Sequence, residues 1–350
     1  MQEETIPGKR KGLVTVMADN KYRDEDLVFL CAALHAREAH MLTPELADRM
    51  LGAANVSEAF RILAECGYPD MTGSDVFALE DKLSEHRAEI YGEISAVPSA
   101  VTVVGMFMLK YDYHNVKSLV KSMGSNENAT RILSASGRVS KEAVTEAFIT
   151  GVRDELPQEL ALAMSEGVGT LSRTSNPQIS DINADRHYFK ELLSLAKSTG
   201  DEIVEGYARL LIDSANLRTY VRVMCAGKPA SFLDDALFEG GNVAVASLIE
   251  AAVNGAGIST VFTGGELENA VSLADEVIAG GRKTMFERAC DNAVRLYADQ
   301  IRYLPFGKAV VLRYLLALDW EMTTVRMIMA GRLAGVLPDT IRERLREAYV

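Results

Sequence analysis

The sequence predicts an all-α protein built from three related helical subdomains. Three observations carry this. Helix-forming residues dominate a 350-residue chain that holds only nine prolines. No stretch sustains the apolar–polar alternation of a strand. One helix pattern recurs twice at intervals near one hundred residues, 101 and then 104, too long for a solenoid of short units.

The pattern is clearest in Leu109–Met123, L-K-Y-D-Y-H-N-V-K-S-L-V-K-S-M. Leu109, Val116, Val120 and Met123 share one stripe, Lys117 and Lys121 lie beside it, and Asp112 and Asn115 share a face three residues apart. The second copy places Leu210, Asp213, Asn216, Leu217, Arg218, Val221, Arg222 and Met224 at matching positions. In the third, Val325, Arg326, Ala330, Gly331 and Arg332 match Val221, Arg222, Ala226, Gly227 and Lys228, while Ala317 and Trp320 replace the Asp and Asn. The repeats divide the chain into 1–125 with core helix 99–124, 126–229 with core helix 201–226, and 230–350 with core helix 305–331.

In chain order, residues 1–22 read as a polar lead-in with a short apolar start at Leu13–Met17. Asp24–His40 is a helix with Leu27, Leu30, Cys31 and Leu34 on one face. Thr43-Pro44-Glu45 is a helix start, with Thr as N-cap and Pro at the first position. A helix at Ser57–Cys66 closes at Gly67, and Ser74–Glu93 is helical. Pro98 opens the first core helix, which ends at Gly124. Ser140 caps a helix at Lys141–Asp154, and Pro157 starts another running towards Leu171. The polar Ser172–Asp181 stretch reads as a boundary. Asn183–Ser198 and Asp201–Ala226 form a hairpin about Thr199-Gly200. Ser231 with Asp234, and Thr263 with Glu266, read as capping boxes. Lys283–Arg302 is helical, and Pro305–Met329 carries Leu315, Leu318, Met322, Val325 and Met329 on one stripe before Gly331 and Gly335 stop it. Pro338–Tyr349 is a charged terminal helix.

Composition narrows the function. Thirty-seven basic against 49 acidic residues give a net charge of −12, which disfavours nucleic-acid binding and any general attraction to anionic lipid. Cys31, Cys66, Cys225 and Cys290 form no Cys-x-x-Cys motif and read as core residues. The N-terminus lacks a secretory apolar region and no segment suits a bilayer span, so the expectation is cytoplasmic.

Asp112, Asn115, Asp213 and Asn216 are candidate ligands or acid–base groups. Their recurrence at equivalent positions favours a structural role, bonding backbone or basic groups on neighbouring helices and fixing register, because an enzyme needs one asymmetric constellation. His114 has no histidine partner nearby, and no His-Glu-x-x-His motif suggests a metal. Asn254-Gly255-Ala256-Gly257 follows no strand and precedes no Lys-Ser/Thr, so the glycines read as breaks. Lys117, Lys121, Arg218, Arg222, Arg326 and Arg332 admit two readings: solvated or acid-paired flanks, or one surface facing an acidic partner.

At these residues the chain resembles a known family. K-Y-D-Y-H-N-V-K-S-L-V-K, I-D-S-A-N-L-R-T-Y-V-R and V-R-M-I-M-A-G-R-L-A-G-V look like the C subunit of the V-type and A-type rotary ATPases, the relative of the eukaryotic d subunit. Leu63–Tyr68, Tyr188-Phe189 and I-R-E-R-L-R near the end add to the match. Asp319, Glu321 and Thr324-Val325-Arg326 stand where the family often has an acidic pair leading into N-I-R. The resemblance implies a funnel of three helical subdomains about a pseudo-threefold axis. It implies an adapter between the central-shaft D and F subunits and the proteolipid rotor ring. Such a part is a monomer within its complex, meets the membrane through protein contacts only, and has no catalytic site, cofactor or metal. A free-standing helical-repeat scaffold for peptides is the alternative, against which the repeat length argues.

Overall fold

The computed structural model describes residues 24–123 and 132–349, and those residues contain no strand. Both the apolar start at Leu13–Met17 and Gly124 lie outside them. The helices are α1 (Asp24–Glu38), α2 (Pro44–Gly52), α3 (Val56–Glu65), α4 (Val76–Ser95), α5 (Val101–Ser122), α6 (Lys141–Thr150), α7 (Gln158–Thr174), α8 (Pro177–Ser198), α9 (Glu202–Cys225), α10 (Phe232–Ala236), α11 (Val245–Asn254), α12 (Glu268–Ile278), α13 (Lys283–Gln300), α14 (Lys308–Leu333) and α15 (Pro338–Tyr349). The all-α architecture is as the sequence predicts.

Local chemistry sets the helix starts. Thr43 caps α2 by accepting from the Leu46 amide at 3.3 Å, with Pro44 in the first turn. Helix α3 starts at Val56, with Asn55 as its cap. The Asn55 side chain accepts from the Glu58 amide at 2.9 Å, and the Glu58 carboxylate accepts from the Ala54 amide, just before the cap, at 2.7 Å. Asp75 and Ser140 cap α4 and α6 in the same way.

Several boundaries differ from expectation for identifiable reasons. Pro98 opens a 3-10 turn, Pro98–Ala100, and α5 follows it. Gly307 has φ 126, a conformation closed to the α-helix, so α14 begins at Lys308 and not Pro305. Gly331 does not end α14. It lies inside the helix where a Cβ would sit 2.8 Å from Ile341 of α15, and Gly335 with φ 72 makes the stop. The polar Ser172–Asp181 stretch is helical except at Ser175 and Asn176. There Ser175 takes a left-handed φ of 52 and Asn176 accepts from the Gln178 amide to start α8. Neither expected capping box forms. Ser231 is itself helical with no side-chain bond, and Glu266 is engaged by Gln300 at 3.1 Å, so α12 starts at Glu268.

The core is aliphatic. Leu315, Leu318, Met322, Val325 and Met329 of α14 are all buried, as are Leu109, Val116 and Val120 of α5, whereas Met123 is 47% exposed. Cys31 and Cys290 are buried and Cys66 and Cys225 half-buried, all unpaired, and burial pushes the Cys290 thiol up to about 12. Helix α14 is apolar around most of its circumference and is wrapped on every side. It packs on α5, α9, α13 and α15 and also on α1, α2, α3 and α4. Helix α14 therefore draws its neighbours from α1–α4 as well as from α13 and α15. Helix α5 packs on α4, α6, α7 and α8, and α9 on α8, α10, α12 and α13. The three core helices meet where Phe107 of α5 stacks on Tyr207 of α9 at 6.0 Å and Lys110 of α5 ion-pairs with Asp319 of α14.

Glu321 ties α14 to the turn between α1 and α2. Its carboxylate accepts from the Leu42 amide at 2.7 Å. Burial pushes that carboxyl up from 4.5 to about 7, against the pull of the Leu42 and Tyr68 bonds. An acid with a higher pKa folded than unfolded contributes its full stability below the unfolded value and loses it as pH rises through the folded one. The native protein should therefore lose stability between about pH 4.5 and about pH 7 relative to Glu321→Gln. Thermal melts of both proteins across that range check this, and parallel profiles would refute it.

Candidate functional site

Each of the first two core helices holds down the loop that follows it. Asn115 donates to the Ser134 carbonyl at 3.0 Å and accepts from the Ser134 amide at 2.8 Å. Asp112 accepts from the Val139 amide at 3.1 Å and from Arg138 Nε at 2.7 Å. In the second copy Asn216 donates to the Phe238 carbonyl at 2.7 Å and accepts from its amide at 2.8 Å. Asp213 accepts from the Val243 amide at 3.2 Å and from both the amide and the side chain of Asn242 at 2.9 Å. Each Asn amide thus pairs with one residue's N–H and C=O as a neighbouring strand would.

All four side chains are buried, none more than 3% exposed. Burial raises the Asp112 and Asp213 carboxyls despite their donors. The polar residues therefore bond chiefly the chain that follows their own helix, not neighbouring helices, because that loop's amides and carbonyls have no helical partners. Gly137 and Gly241 let the backbone approach. A Cβ would lie 2.3 Å from the Asp112 carboxylate at the first and 2.0 Å from that of Asp213 at the second. Ser134 and Phe238, Gly137 and Gly241, and Val139 and Val243 are each 104 positions apart.

The basic positions form a second repeated device. Lys121 of α5 pairs with Asp181 of α8 at 2.7 Å, Arg222 of α9 with Glu287 of α13 at 3.0 Å, and Arg326 of α14 with Glu80 of α4 at 2.6 Å. Each acid sits on the long helix that leads into the next core helix, so the three pairs run round the molecule and close on themselves. The bases are 101 and 104 positions apart, and the acids 101 and 106. One turn away, Lys117 pairs with Asp185 at 2.6 Å and Arg218 with Asp291 at 2.5 Å. The third copy has Met322 and Ser84 there, and Ser84 instead bonds Ser134 and Ser136.

Arg332 stands apart from these pairs. It donates to the Leu51 and Ala53 carbonyls at 2.5 and 2.6 Å, closing the C-terminus of α2. All six basic candidates thus have partners inside the molecule. His114 is exposed, with Nε2 at 3.1 Å from the Ile132 carbonyl. Among the described residues, no three or more His, Cys, Asp or Glu side chains converge in a way that could hold a metal ion.

Sequence reading missed several members of this network. Arg138 bridges Asp112 and Glu191, and Glu191 also accepts from the Tyr113 hydroxyl at 2.9 Å. A signal existed for the acids: Asp181/Asp185 and Glu287/Asp291 are both four apart and 106 positions from one another. No comparable signal marks Arg138, whose equivalent is Asn242.

Comparison with known proteins bears on this architecture. The model of the family described as "ATP synthase (C/AC39) subunit" matches residues 30–344. The A-type ATP synthase C subunit of Methanocaldococcus jannaschii is 22% identical over 91% of this chain and 85% of its own length. The V-type sodium ATPase C subunit of Enterococcus hirae is 22% identical over 90% and 97% respectively. The A-type ATP synthase C subunit of Haloquadratum walsbyi is 26% identical over 90% and 96%.

The clamp geometry sets up a mutational cycle. Gly241→Ala should destabilise by about 2 kcal/mol or more, since the added methyl collides with a buried carboxylate. Asp213→Ala should cost about 1–3 kcal/mol by stranding the Asn242 and Val243 amides. The double variant should be less destabilised than the two single losses added together. Chemical denaturation of the three proteins measures this, and simple additivity would contradict the contact.

Proposed function

The chain belongs to the ATP synthase (C/AC39) subunit family, and from that membership we propose that it is the non-catalytic central-rotor component of a V/A-type rotary ATPase. In this reading it couples the central shaft, made by the D and F subunits, to the membrane proteolipid ring, and so serves ATP-driven or ATP-synthesising transport of protons or sodium ions. It sits on the cytoplasmic side and meets the membrane through its protein partners. Among the described residues no single helix is long and apolar enough to cross a bilayer.

The observation that carries the reading is the closed circuit of core-helix ion pairs, Lys121–Asp181, Arg222–Glu287 and Arg326–Glu80. A thin shaft cannot grip a wide ring directly. The part between them has to be broad and stiff and needs neither nucleophile nor base. Three long helices, each tied to the helix that enters the next, suit that task, and a pseudo-threefold funnel is the shape this arrangement supports. The clamps add stiffness by fixing residues 134–139 and 238–243 against the first two core helices. Lys117, Lys121, Arg218 and Arg222 serve in this scheme as internal ties rather than as an acidic partner's docking surface.

Pull-down from detergent-solubilised native membranes, with the chain as bait, tests the assignment. The D and F subunits and the proteolipid should be recovered with it, and a folded, monodisperse bait that recovers neither would overturn it. The internal role of the basic residues has its own check. Arg222→Glu should lower the melting temperature, and the charge swap Arg222→Glu with Glu287→Arg should restore most of it. Each such half-exposed pair contributes less than about 1 kcal/mol, so the shift should be about 1–3 °C for a chain of this size. A swap that fails to restore stability would return these residues to the partner-facing reading.

A further inference from the structure

The third core helix carries Ala317 and Trp320 where the first two carry the Asp and Asn of the clamp. Both residues line a cavity of about 550 Å³ between α2, α13, α14 and α15. In the first two units the equivalent polar pair binds a chain segment through its backbone. With Ala317 and Trp320 in place of that pair, the third position borders a hollow instead. Its walls are mostly apolar, and Leu42, Leu51, Leu316 and Leu345 complete them. A space of this size suits a small ligand.

The mouth of the cavity carries guanidinium groups. Arg313 is held by Glu38 at 2.5 Å, and Arg342 by Asp48 at 3.1 Å and Asp339 at 2.8 Å. Arg295 of α13 also borders the cavity and makes no ion pair among the described residues, not even with Asp299 one turn on. A mostly apolar hollow bordered by a guanidinium that has no ion pair among the described residues matches a ligand with an apolar body and an anionic head.

We propose that the vacated third clamp position is a binding site for a single-chain amphiphilic anion, with its hydrocarbon body against Trp320, Leu316 and Leu345 and its acidic head on Arg295. The site is separate from the ion-pair circuit, since none of Lys121, Arg222 or Arg326 borders it. The second clamp also borders a hollow, of about 660 Å³ beside Asp213, Asn242 and Val243, but its walls are chiefly polar and no described Lys or Arg lines it. Its apolar lining and bordering guanidinium groups distinguish the third position from that hollow.

The chain contains one tryptophan, Trp320, so its own emission reports occupancy. The full-length protein is titrated with dodecanoate below its micelle-forming concentration, and in parallel with dodecanol and dodecyltrimethylammonium. Dodecanoate should shift the Trp320 emission saturably, and bind about tenfold more tightly than dodecanol. Arg295→Gln, at an exposed position, should weaken dodecanoate about tenfold, the loss of one charge-assisted hydrogen bond, and leave dodecanol unchanged. Ala317→Phe should fill the hollow and abolish binding of all three probes. If that variant does not fold, Ala47→Phe, at a half-buried wall position, makes the same test. Absence of any saturable shift with the wild type would overturn the site. Equal affinity for the three probes, or an unchanged dodecanoate affinity in Arg295→Gln, would overturn the anionic head.

Discussion

The buried carboxylates of Asp112 and Asp213 are the constraint from which the rest of the structure follows. A carboxylate shut away from water is costly unless donors surround it. The donors come from the loop that leaves the same helix, two at Asp112 and three at Asp213. The cost of leaving either side unmatched makes the loop's path nearly obligatory. The adjacent Asn holds Ser134 or Phe238 and the Asp holds Val139 or Val243, and a glycine between them lets the backbone pass against the carboxylate. Helices α6 and α11 then begin at set points: Ser140 and Ala244 each follow the last clamped residue directly. Both helices run ten residues and end at a left-handed glycine, Gly151 and Gly255.

The ion-pair circuit acts at a different level of energy. Its members are partly exposed, Arg222 by 65% and Lys121 by 49%, and pairs in such settings contribute tenths of a kcal/mol to about 1 kcal/mol each. A fully buried Leu315 or Val325 is worth several times that. Packing along α5, α9 and α14 thus holds the units together. The pairs select the angular register at which the long helices sit, because a slip of one turn would set Lys121 or Arg222 against the wrong partner on α8 or α13.

The legible part of this fold in the sequence was whatever repeats. The recurrence of Asp-x-x-Asn and of a basic residue six positions beyond the Asn marked the core helices. Their burial follows from apolar residues at helical spacing. Long-range partners were hidden. Nothing local in Arg138 says that it meets Asp112 26 positions away, and Glu80 gives no sign of Arg326 at a separation of 246. Boundaries failed where one residue type can serve two roles. Ser231 and Thr263 both carry a capping hydroxyl, yet the chain around Ser231 is already helical and the Glu three residues after Thr263 is taken by Gln300. Gly331 looks like a stop and is instead a contact surface for Ile341.

The third unit shows what the repeat alone cannot specify. A loop can be clamped only if the chain continues past the core helix, and after α14 it runs almost at once into α15, with Gly335 between them. Helices from the opposite end, α1 to α4, take the places beside α14 that following segments take beside α5 and α9. Such partners arrive as preformed helices whose backbone groups are already bonded, so an Asp and Asn facing them would be buried without donors. Ala317 and Trp320 remove that penalty. What remains is fixed by fewer and more specific contacts: Glu321 on the Leu42 amide and Arg332 on the end of α2. Closing the ring of helices therefore relies on polar groups one and several turns from the repeated positions, and the third copy departs from the motif where α1 to α4 pack against α14.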